Sequence, residues 1–153
     1  MDNKITIREG LLSDIPELVE LLKDLFSIEE DFQFDQKKQE NGLKMILESN
    51  PDEKIVLAAE LEGRVIGMCS AQIFISTAEG ARSAMIEDMI VRAGFRGKGI
   101  GKKIMYGIVS WAKRNDVKRL QLLSDKNNRN AISFYRQNDW DSTRLICLRR
   151  KIL

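Results

Sequence analysis

The sequence predicts one mixed α/β domain over residues 1–153, in which helices flank a β-sheet. Strand-like and helix-like patterns follow one another along the whole chain, and no repeat, low-complexity segment or linker interrupts them. The composition, with 43% hydrophobic and 31% charged residues, is typical of a globular protein. A length of 153 residues fits about one domain. The predicted order of elements is β-α-α-β-β-β-α-β-α-β.

The spacing of apolar residues separates the strands from the helices. KITIRE near the start alternates like a strand, whereas the leucines after Ser13 recur at helical spacing, so Ser13 is predicted to cap the first helix. Glu62-Gly63 predicts a tight hairpin between two extended runs. The predicted elements are strand 4–9, helices 13–26 and 36–48, strands 54–61, 64–76 and 83–91, a helix from the glycines at 97–101 to about 114, strand 119–124, helix 129–138 and strand 143–152.

Charge and residue types exclude several classes of function. With 25 basic and 23 acidic residues the net charge is +2, too even to predict a nucleic-acid or membrane surface. The chain has no histidine, which argues against Cys/His zinc sites and against Ser-His-Asp or Cys-His machinery, and no metal site is predicted. Cys69 and Cys147 lie in apolar runs and are predicted to be buried thiols. The absence of a signal-peptide pattern and of a long apolar run predicts a cytoplasmic protein.

Residues 96–101, RGKGIG, predict an anion-binding loop. They join an extended run ending at Val91 to a helix, whose first amides lack intrahelical partners and carry partial positive charge. Glycines let such a backbone approach a phosphate closely. The spacing fits neither the P-loop nor the dinucleotide-binding fingerprint, since each would need a glycine at Lys102. The alternative is a glycine-rich turn with solvated lysines.

Two segments resemble motifs of one enzyme family. RGKGIG, between an apolar strand and a helix, closely resembles the Q/R-x-x-G-x-G/A motif of the GNAT superfamily of acetyl-CoA-dependent N-acetyltransferases. Residues 128–135, NRNAISFY, resemble the family's N-x-x-A-x-x-F-Y segment, and the order of elements matches over essentially the whole chain. Where the family commonly has a glycine and an aromatic residue next, this chain has Asp139-Trp140. Asp139 is therefore expected to adopt the turn that the glycine makes.

The resemblance implies acetyl-CoA as the acyl donor. Its pantetheine arm is expected in a splay between strands 83–91 and 119–124, pairing with the backbone of Met89 and Val91, and its pyrophosphate on the glycine loop. The cofactor-binding residues that the resemblance implies are Met89, Ile90, Val91, Arg96, Gly97, Lys98, Gly99, Ile100, Gly101, Lys102, Asn128 and Tyr135.

The implied reaction is direct attack of a primary amine on the thioester in a ternary complex, without a covalent intermediate. An alkylamine arrives as an ammonium, with a pKa of about 10.4, so a base must remove a proton. Glu87 has the position of the family's strand carboxylate and is expected to act as base or to orient the base water. Asp88, its neighbour on the strand, is expected to be structural. Tyr135 has the position of the family's acid, and the Met89 amide is expected to hold the oxyanion.

The acceptor amine is expected at the loop of residues 27–35, which is acidic and aromatic. Carboxylates there would attract a cation, and aromatic rings would wall its carbon chain. IEDMIV with FRGKGIG is also similar to spermidine/spermine acetyltransferases, so a polyamine or diamine is favoured, although aminoglycosides, amino acids and protein amines stay open. The alternative to a substrate-binding role is that this acidic loop is simply a solvated surface. The predicted substrate-binding residues are Phe26, Glu29, Glu30, Asp31 and Phe32.

Two other expectations concern the class of protein and its assembly. The alternative to an enzyme is a catalytically silent acyl-CoA-binding or regulatory module, which would keep the glycine loop without the chemistry. A homodimer is predicted because strand 143–152 is apolar on one side and would otherwise leave an exposed edge.

Overall fold

A five-stranded mixed β-sheet in the order β1-β2-β3-β4-β5 is the centre of the fold. The computed structural model describes residues 4–29 and 31–153, in two units: Met1–Leu122, which holds the sheet, and Leu123–Leu153. The elements are β1 (Thr6–Glu9), a 3-10 turn (Leu12–Asp14), α1 (Ile15–Ile28), α2 (Gln36–Leu47), β2 (Lys54–Leu61), β3 (Arg64–Ser76), β4 (Ala81–Val91), α3 (Ile100–Arg114) and β5 (Val117–Leu122) in the first unit, and α4 (Arg129–Gln137) in the second.

The predicted α/β class is confirmed. Strands β1 to β4 are antiparallel to their neighbours, and β5 runs parallel to β4, as the helical crossover α3 between them allows. None of the helices in the described residues is long and apolar enough to cross a membrane. That residues 1–153 form a single domain stays a prediction.

The helices of the first unit cover both faces of the sheet. On one face, buried leucines of α1 and α2 join Val56, Met68 and Ile90 in one apolar cluster. On the other face α3 lies close to the strands, because a Cβ on Gly67 would stand 2.9 Å from Ile104 Cδ1. This close packing fixes the start of α3, and with it the glycine loop, against β3 and β4.

The Glu62-Gly63 hairpin between β2 and β3 is confirmed. Both residues have positive φ, 50° and 77°, as a type I′ turn requires. The helix cap predicted at Ser13 is wrong: Ser13 lies inside the 3-10 turn, and Asp14 directly precedes α1. Asp14 accepts hydrogen bonds from the Leu11 amide at 2.7 Å and from Arg8 at 2.7 Å. The bond to Arg8 lowers the pKa of Asp14, so a charge partner on the preceding strand β1 favours Asp14 over Ser13 at this turn.

The last strand, predicted over residues 143–152, is not formed. Residues 145–153 have no regular secondary structure, and the side chains of Leu145 and Leu148 are 87% and 86% exposed. A strand needs a neighbouring strand for its hydrogen bonds, and the second unit contains none. Cys147 lies in this segment and is exposed, contrary to the prediction, whereas Cys69 is buried as predicted.

Gly67 and Gly42 provide a matched test of the packing between α3 and the sheet. We expect Gly67→Ala to lower the free energy of unfolding by about 1–3 kcal/mol, because the added methyl group overpacks against Ile104 and the Ile90 carbonyl. Gly42 lies within α2, and a Cβ there would meet nothing within 4 Å. Gly42→Ala should therefore raise the free energy of unfolding by about 0.5–1 kcal/mol. Urea denaturation of both variants measures the difference, and equal stability of the two would contradict the packing.

Candidate active site

Strand β4 extends beyond the end of its pairing with β5. The parallel register ends at Ile86↔Leu122, whereas β4 continues to Val91. Within the described residues of the first unit, no strand pairs with residues 87–91 on this side. The open edge therefore has the length and the direction expected for a bound extended arm.

A β-bulge interrupts β4 in the middle of this open stretch. Its register with β3 passes from Ser70↔Glu87 directly to Met68↔Ile90, so two residues of β4 lie opposite Cys69 alone. The first of them, Asp88, has φ of 55°, in the left-handed region. A bulge of this kind redirects side chains and ends the alternation of faces. In a regular strand the side chains of Glu87 and Asp88 would face opposite sides of the sheet, and the bulge removes this constraint.

Asp88 and Glu87 lie in different environments. Glu87 is exposed, whereas Asp88 is partly buried. Burial, followed by the negative charges of Glu87 and Glu29, raises the pKa of Asp88 to about 7, against a hydrogen bond from Ser70 that favours the ionised form. A carboxyl group with this pKa can both accept and release a proton at neutral pH.

The glycine loop has the backbone of an anion cradle. Gly97 and Gly99 have φ of 75° and 79°, and Gly99 is the N-cap of α3. A Cβ on either would meet nothing within 4 Å, so these positions need glycine for their left-handed backbone and not for packing space. The space in front of the loop is open, and the first amides of α3 point their partial positive charge into it.

The cations of the loop differ in how they are held. The Nε of Arg96 donates to the Val91 carbonyl at 2.8 Å, which ties the loop back to β4. The Nζ of Lys98 lies 5.7 Å from the centre of the Phe95 ring. Lys102 is exposed on the first turn of α3. All three leave positive charge beside the cradle.

Two of the residues predicted to bind the cofactor have buried side chains, so only their backbone is open to a ligand. The side chain of Ile90 is 5% exposed and lies in the apolar cluster under α1, and that of Ile100 is 1% exposed. Their side chains hold β4 and the start of α3 against the core. This positions the open strand edge and the helix N-terminus.

The acidic, aromatic loop follows the C-terminus of α1. Glu29 is the C-cap of α1, and Asp31 and Phe32 are exposed. The rings of Phe26 and Phe32 pack in a tilted arrangement, with 5.4 Å between centroids and 36° between planes. Glu29 interacts electrostatically with Asp88, so the structure brings the predicted substrate loop to the bulge of β4. Glu30 lies outside the described residues.

The second unit fixes Tyr135 at the end of α4. The Trp140 amide donates to the Tyr135 carbonyl at 3.0 Å, and their rings pack edge to face at 5.8 Å. Asp139 has φ of 69°, which confirms that it takes the left-handed turn expected of a glycine. Asn128 caps α4 by accepting from the Ala131 amide at 3.1 Å, which leaves its Nδ2 as a donor.

Cys69 offers no nucleophile for a covalent mechanism. It is fully buried beneath the bulge, and burial together with the charge of Asp88 raises the pKa of its thiol. The thiol therefore stays protonated, and only the thiolate is reactive. This agrees with direct attack by the amine.

A cavity of about 800 Å³ borders the glycine loop and is lined by α3 and the first two strands. Gly99 and Lys102 contribute to its wall, and the rest comes from β1, β2 and α3. No carboxylate of β4 lines it. The cavity is therefore separate from the strand edge at which the chemistry is expected.

The sequence alone predicts a structural role for Asp88 and does not place it at a bulge. Two carboxylates stand side by side in the sequence as Glu87-Asp88, but a strand without a glycine gives no sign of a bulge. The one indication of the bulge in the sequence is that Asp tolerates left-handed backbone better than most residues.

Comparison with known proteins agrees with this geometry. Residues 15–140 match the model of the acetyltransferase (GNAT) family. An uncharacterized N-acetyltransferase of Archaeoglobus fulgidus is 27% identical over 135 residues, covering 87% of this chain and 90% of that protein. Another from Bacillus subtilis is 31% identical over 99 residues, 65% of each chain.

Solved structures share the fold at low sequence identity. A transcriptional regulator from Bacillus halodurans has a TM-score of 0.84 at 22% identity, covering 97% of this chain and all of that one (100%). The aminoglycoside N-acetyltransferase AAC(6')-Iy in complex with CoA also has a TM-score of 0.84, at 16% identity, covering 99% and 97%. The family match extends over most of the chain and includes the glycine loop, the bulged strand and α4. The chain belongs to the GNAT family of acetyltransferases, enzymes that take the acetyl group from acetyl-CoA.

Proposed function

We propose that this enzyme acetylates a primary amine of a small polycation, with a polyamine or diamine as the favoured acceptor, by direct attack in a ternary complex. The observation that supports the proposal is the electrostatic interaction of Glu29, at the start of the acidic loop, with Asp88 on the bulged strand. Glu29, Glu87 and Asp88 concentrate negative charge beside the open edge of β4. A neutral or anionic acceptor would gain nothing from this field, whereas an ammonium group would be attracted.

The donor fits the residues of the open edge and the cradle. The backbone of Met89 and Val91 would pair with the pantetheine arm, and the amides at the start of α3 would hold the pyrophosphate, with charge added by Lys98 and Lys102. Bound acetyl-CoA supplies the thioester. Asn128 is proposed to contact the arm through its Nδ2.

Three groups are proposed to assist the transfer. Glu87, exposed at the edge of the bulge, holds the ammonium or the water beside it. Met89 has no partner in the register with β3, and its amide is proposed to donate to the carbonyl oxygen as negative charge develops there. Tyr135 is proposed to donate a proton to the departing sulfur.

The end of α1 adds to the attraction for a cation. The C-terminus of a helix carries partial negative charge, and Glu29 adds a full charge at that position. The packed rings of Phe26 and Phe32 offer an apolar wall for the carbon chain between two amines. Together these features favour an acceptor with more than one ammonium group.

Aminoglycosides are the second candidate acceptors. Four of the structural neighbours are structures of two aminoglycoside acetyltransferases, one solved in complex with trehalose and with sisomicin and the other with a bisubstrate analogue and with CoA. Aminoglycosides are also polycations, so the same acidic loop would suit them. A protein amine is the third candidate, and a silent acyl-CoA-binding module is the alternative to any transferase activity.

A homodimer and a cytoplasmic location stay proposals. The exposed apolar side chains of residues 145–153 support a partner for this segment, because a row of exposed leucines and isoleucines is unfavourable in water.

Measuring acetyl-CoA binding by two glycine variants tests the glycine loop as the pyrophosphate site. Gly99 and Gly80 both have positive φ and open space at Cβ, but Gly80 lies in the turn between β3 and β4. We expect Gly99→Glu to weaken acetyl-CoA binding by about 30-fold or more, about 2 kcal/mol, because the carboxylate repels the pyrophosphate. Gly80→Glu should leave the affinity unchanged. Isothermal titration calorimetry measures both affinities. Equal affinity of the two variants would contradict pyrophosphate binding by the glycine loop.

Steady-state kinetics of Asp31→Asn test the acidic loop. Loss of one exposed charge should raise KM for spermidine about two- to fivefold at low salt and leave kcat unchanged, since an exposed ion pair contributes up to about 1 kcal/mol. KM for propylamine, with a single charge, should change less. Asp52→Asn removes a carboxylate next to β2 and serves as the control. A KM for spermidine that is the same in both variants would argue against the loop as the acceptor site.

A further inference from the structure

The loop between β4 and α3 needs support at its ends. Residues 92–99 contain three glycines with left-handed φ, which is 86° at Gly94, 75° at Gly97 and 79° at Gly99. Because glycine has the largest backbone freedom to lose, such a loop keeps one conformation only where neighbouring residues hold it. Ile100, buried at the start of α3, holds one end. The other end begins at Arg92.

Arg92 fastens this end to two other elements. Its amide donates to the Ile66 carbonyl of β3 at 2.7 Å. Its Nη2 donates to the Val65 carbonyl of β3 at 3.2 Å, and its Nη1 donates to Oε2 of Glu20 on α1 at 3.3 Å. Its carbonyl accepts from the Phe95 amide at 3.1 Å, which closes the first turn of the loop. One residue therefore joins the loop to both β3 and α1.

The peptide that accepts from Arg92 is itself fixed from α1. The Val65 amide donates to Oε2 of Glu17 at 2.9 Å, and the Val65 side chain is fully buried. Glu17 and Glu20 are three residues apart on α1 and so lie on the same face of the helix. Two carboxylates of α1 thus hold the start of β3 and the start of the loop. The guanidinium of Arg92 meets a rigid partner on each side.

Burial decides which contact of Arg92 matters more. The Arg92 side chain is 13% exposed, whereas that of Glu20 is 63% exposed, so solvent screens their ion pair. The hydrogen bond to the Val65 carbonyl is shielded from water, and its loss leaves a buried acceptor without this donor. A planar guanidinium can hold two acceptors in fixed directions at once, which a lysine cannot do. The contact therefore depends on arginine and not only on positive charge.

We propose that Arg92 is a positioning residue for the donor site, which holds the glycine loop in the conformation that receives the pyrophosphate of acetyl-CoA. It acts through the loop backbone and makes no contact with the cofactor. A loop that is ordered before the ligand arrives loses less entropy on binding, so the contribution of Arg92 appears as acetyl-CoA affinity. The inference rests on the proposed binding of acetyl-CoA at this loop and assigns the residue that orders it.

Isothermal titration calorimetry of Arg92→Met with acetyl-CoA tests this role. Methionine keeps an unbranched side chain but removes both donors, and we expect affinity to fall about 10-fold because binding must then order the loop. In steady-state assays KM for acetyl-CoA should rise by a similar factor, with kcat within about twofold of the parent, since chemistry follows once the donor is bound.

Arg82→Met is the matched control. Arg82 is also a partly buried arginine of β4, and its guanidinium donates to the carbonyls of Asn115 and Asp52, each at 3.2 Å. It lies near the start of β4, at the end remote from the glycine loop. Both variants should have a lower Tm, but Arg82→Met should keep acetyl-CoA affinity within about twofold of the parent.

Two further variants separate position from charge. Arg92→Lys keeps the charge but not the two fixed donors, so it should recover only part of the affinity and bind about threefold more weakly than the parent. Glu20→Gln removes the exposed partner and should change affinity by less than about twofold. Full parental affinity in Arg92→Lys would show that charge alone acts, and would contradict a positioning role.

Hydrogen exchange of the Phe95 amide reports on the loop without any ligand. This amide donates to the Arg92 carbonyl, so its exchange should be about 10-fold faster or more in Arg92→Met and unchanged in Arg82→Met. Acetyl-CoA affinity of Arg92→Met within twofold of the parent would overturn the proposal. Equal weakening of binding by Arg92→Met and Arg82→Met would also overturn it, because the effect would then follow stability. A parent that does not bind acetyl-CoA would instead refute the proposed function, whereas Phe95 exchange would still test whether Arg92 holds the loop.

Discussion

The departure of β4 from regular pairing is the constraint on which the site depends. Its ladder with β5 ends at Ile86, and its ladder with β3 is broken at Asp88 and Met89. Backbone groups that a regular sheet would use internally are thereby made available to an extended ligand. The same break turns Asp88 toward Ser70 and the end of α1.

This arrangement costs stability and is held in place by the rest of the fold. A left-handed aspartate and a partly buried carboxyl surrounded by like charge are both unfavourable. Ile90 buried under α1 and Gly67 in close contact with α3 anchor β4 on both faces of the sheet. The glycine loop depends on the same anchors, because Arg96 ties it to the end of β4. Packing on both faces therefore offsets the strain of the bulge.

Patterns with a local cause could be predicted from the sequence, and those with a distant cause could not. The hairpin at Glu62-Gly63 and most helices follow from turn chemistry and periodicity. Asp14 replaces Ser13 at the start of α1 because Arg8, on another element, binds it. The strand predicted at 143–152 needs a partner that its own unit lacks. The glycine loop was apparent from its spacing, whereas the bulge at Asp88 depends on a register shift against β3.

The most direct test of the central claim is the initial rate of CoA release with acetyl-CoA and spermidine both varied, with the mass of the product determined in parallel. Direct attack in a ternary complex predicts double-reciprocal plots that intersect, and a product heavier than spermidine by one acetyl group. Parallel plots would indicate an acetylated enzyme and contradict direct attack. CoA release that does not depend on any amine, whether spermidine, putrescine or an aminoglycoside, would contradict the assignment of a small cationic amine as the acceptor.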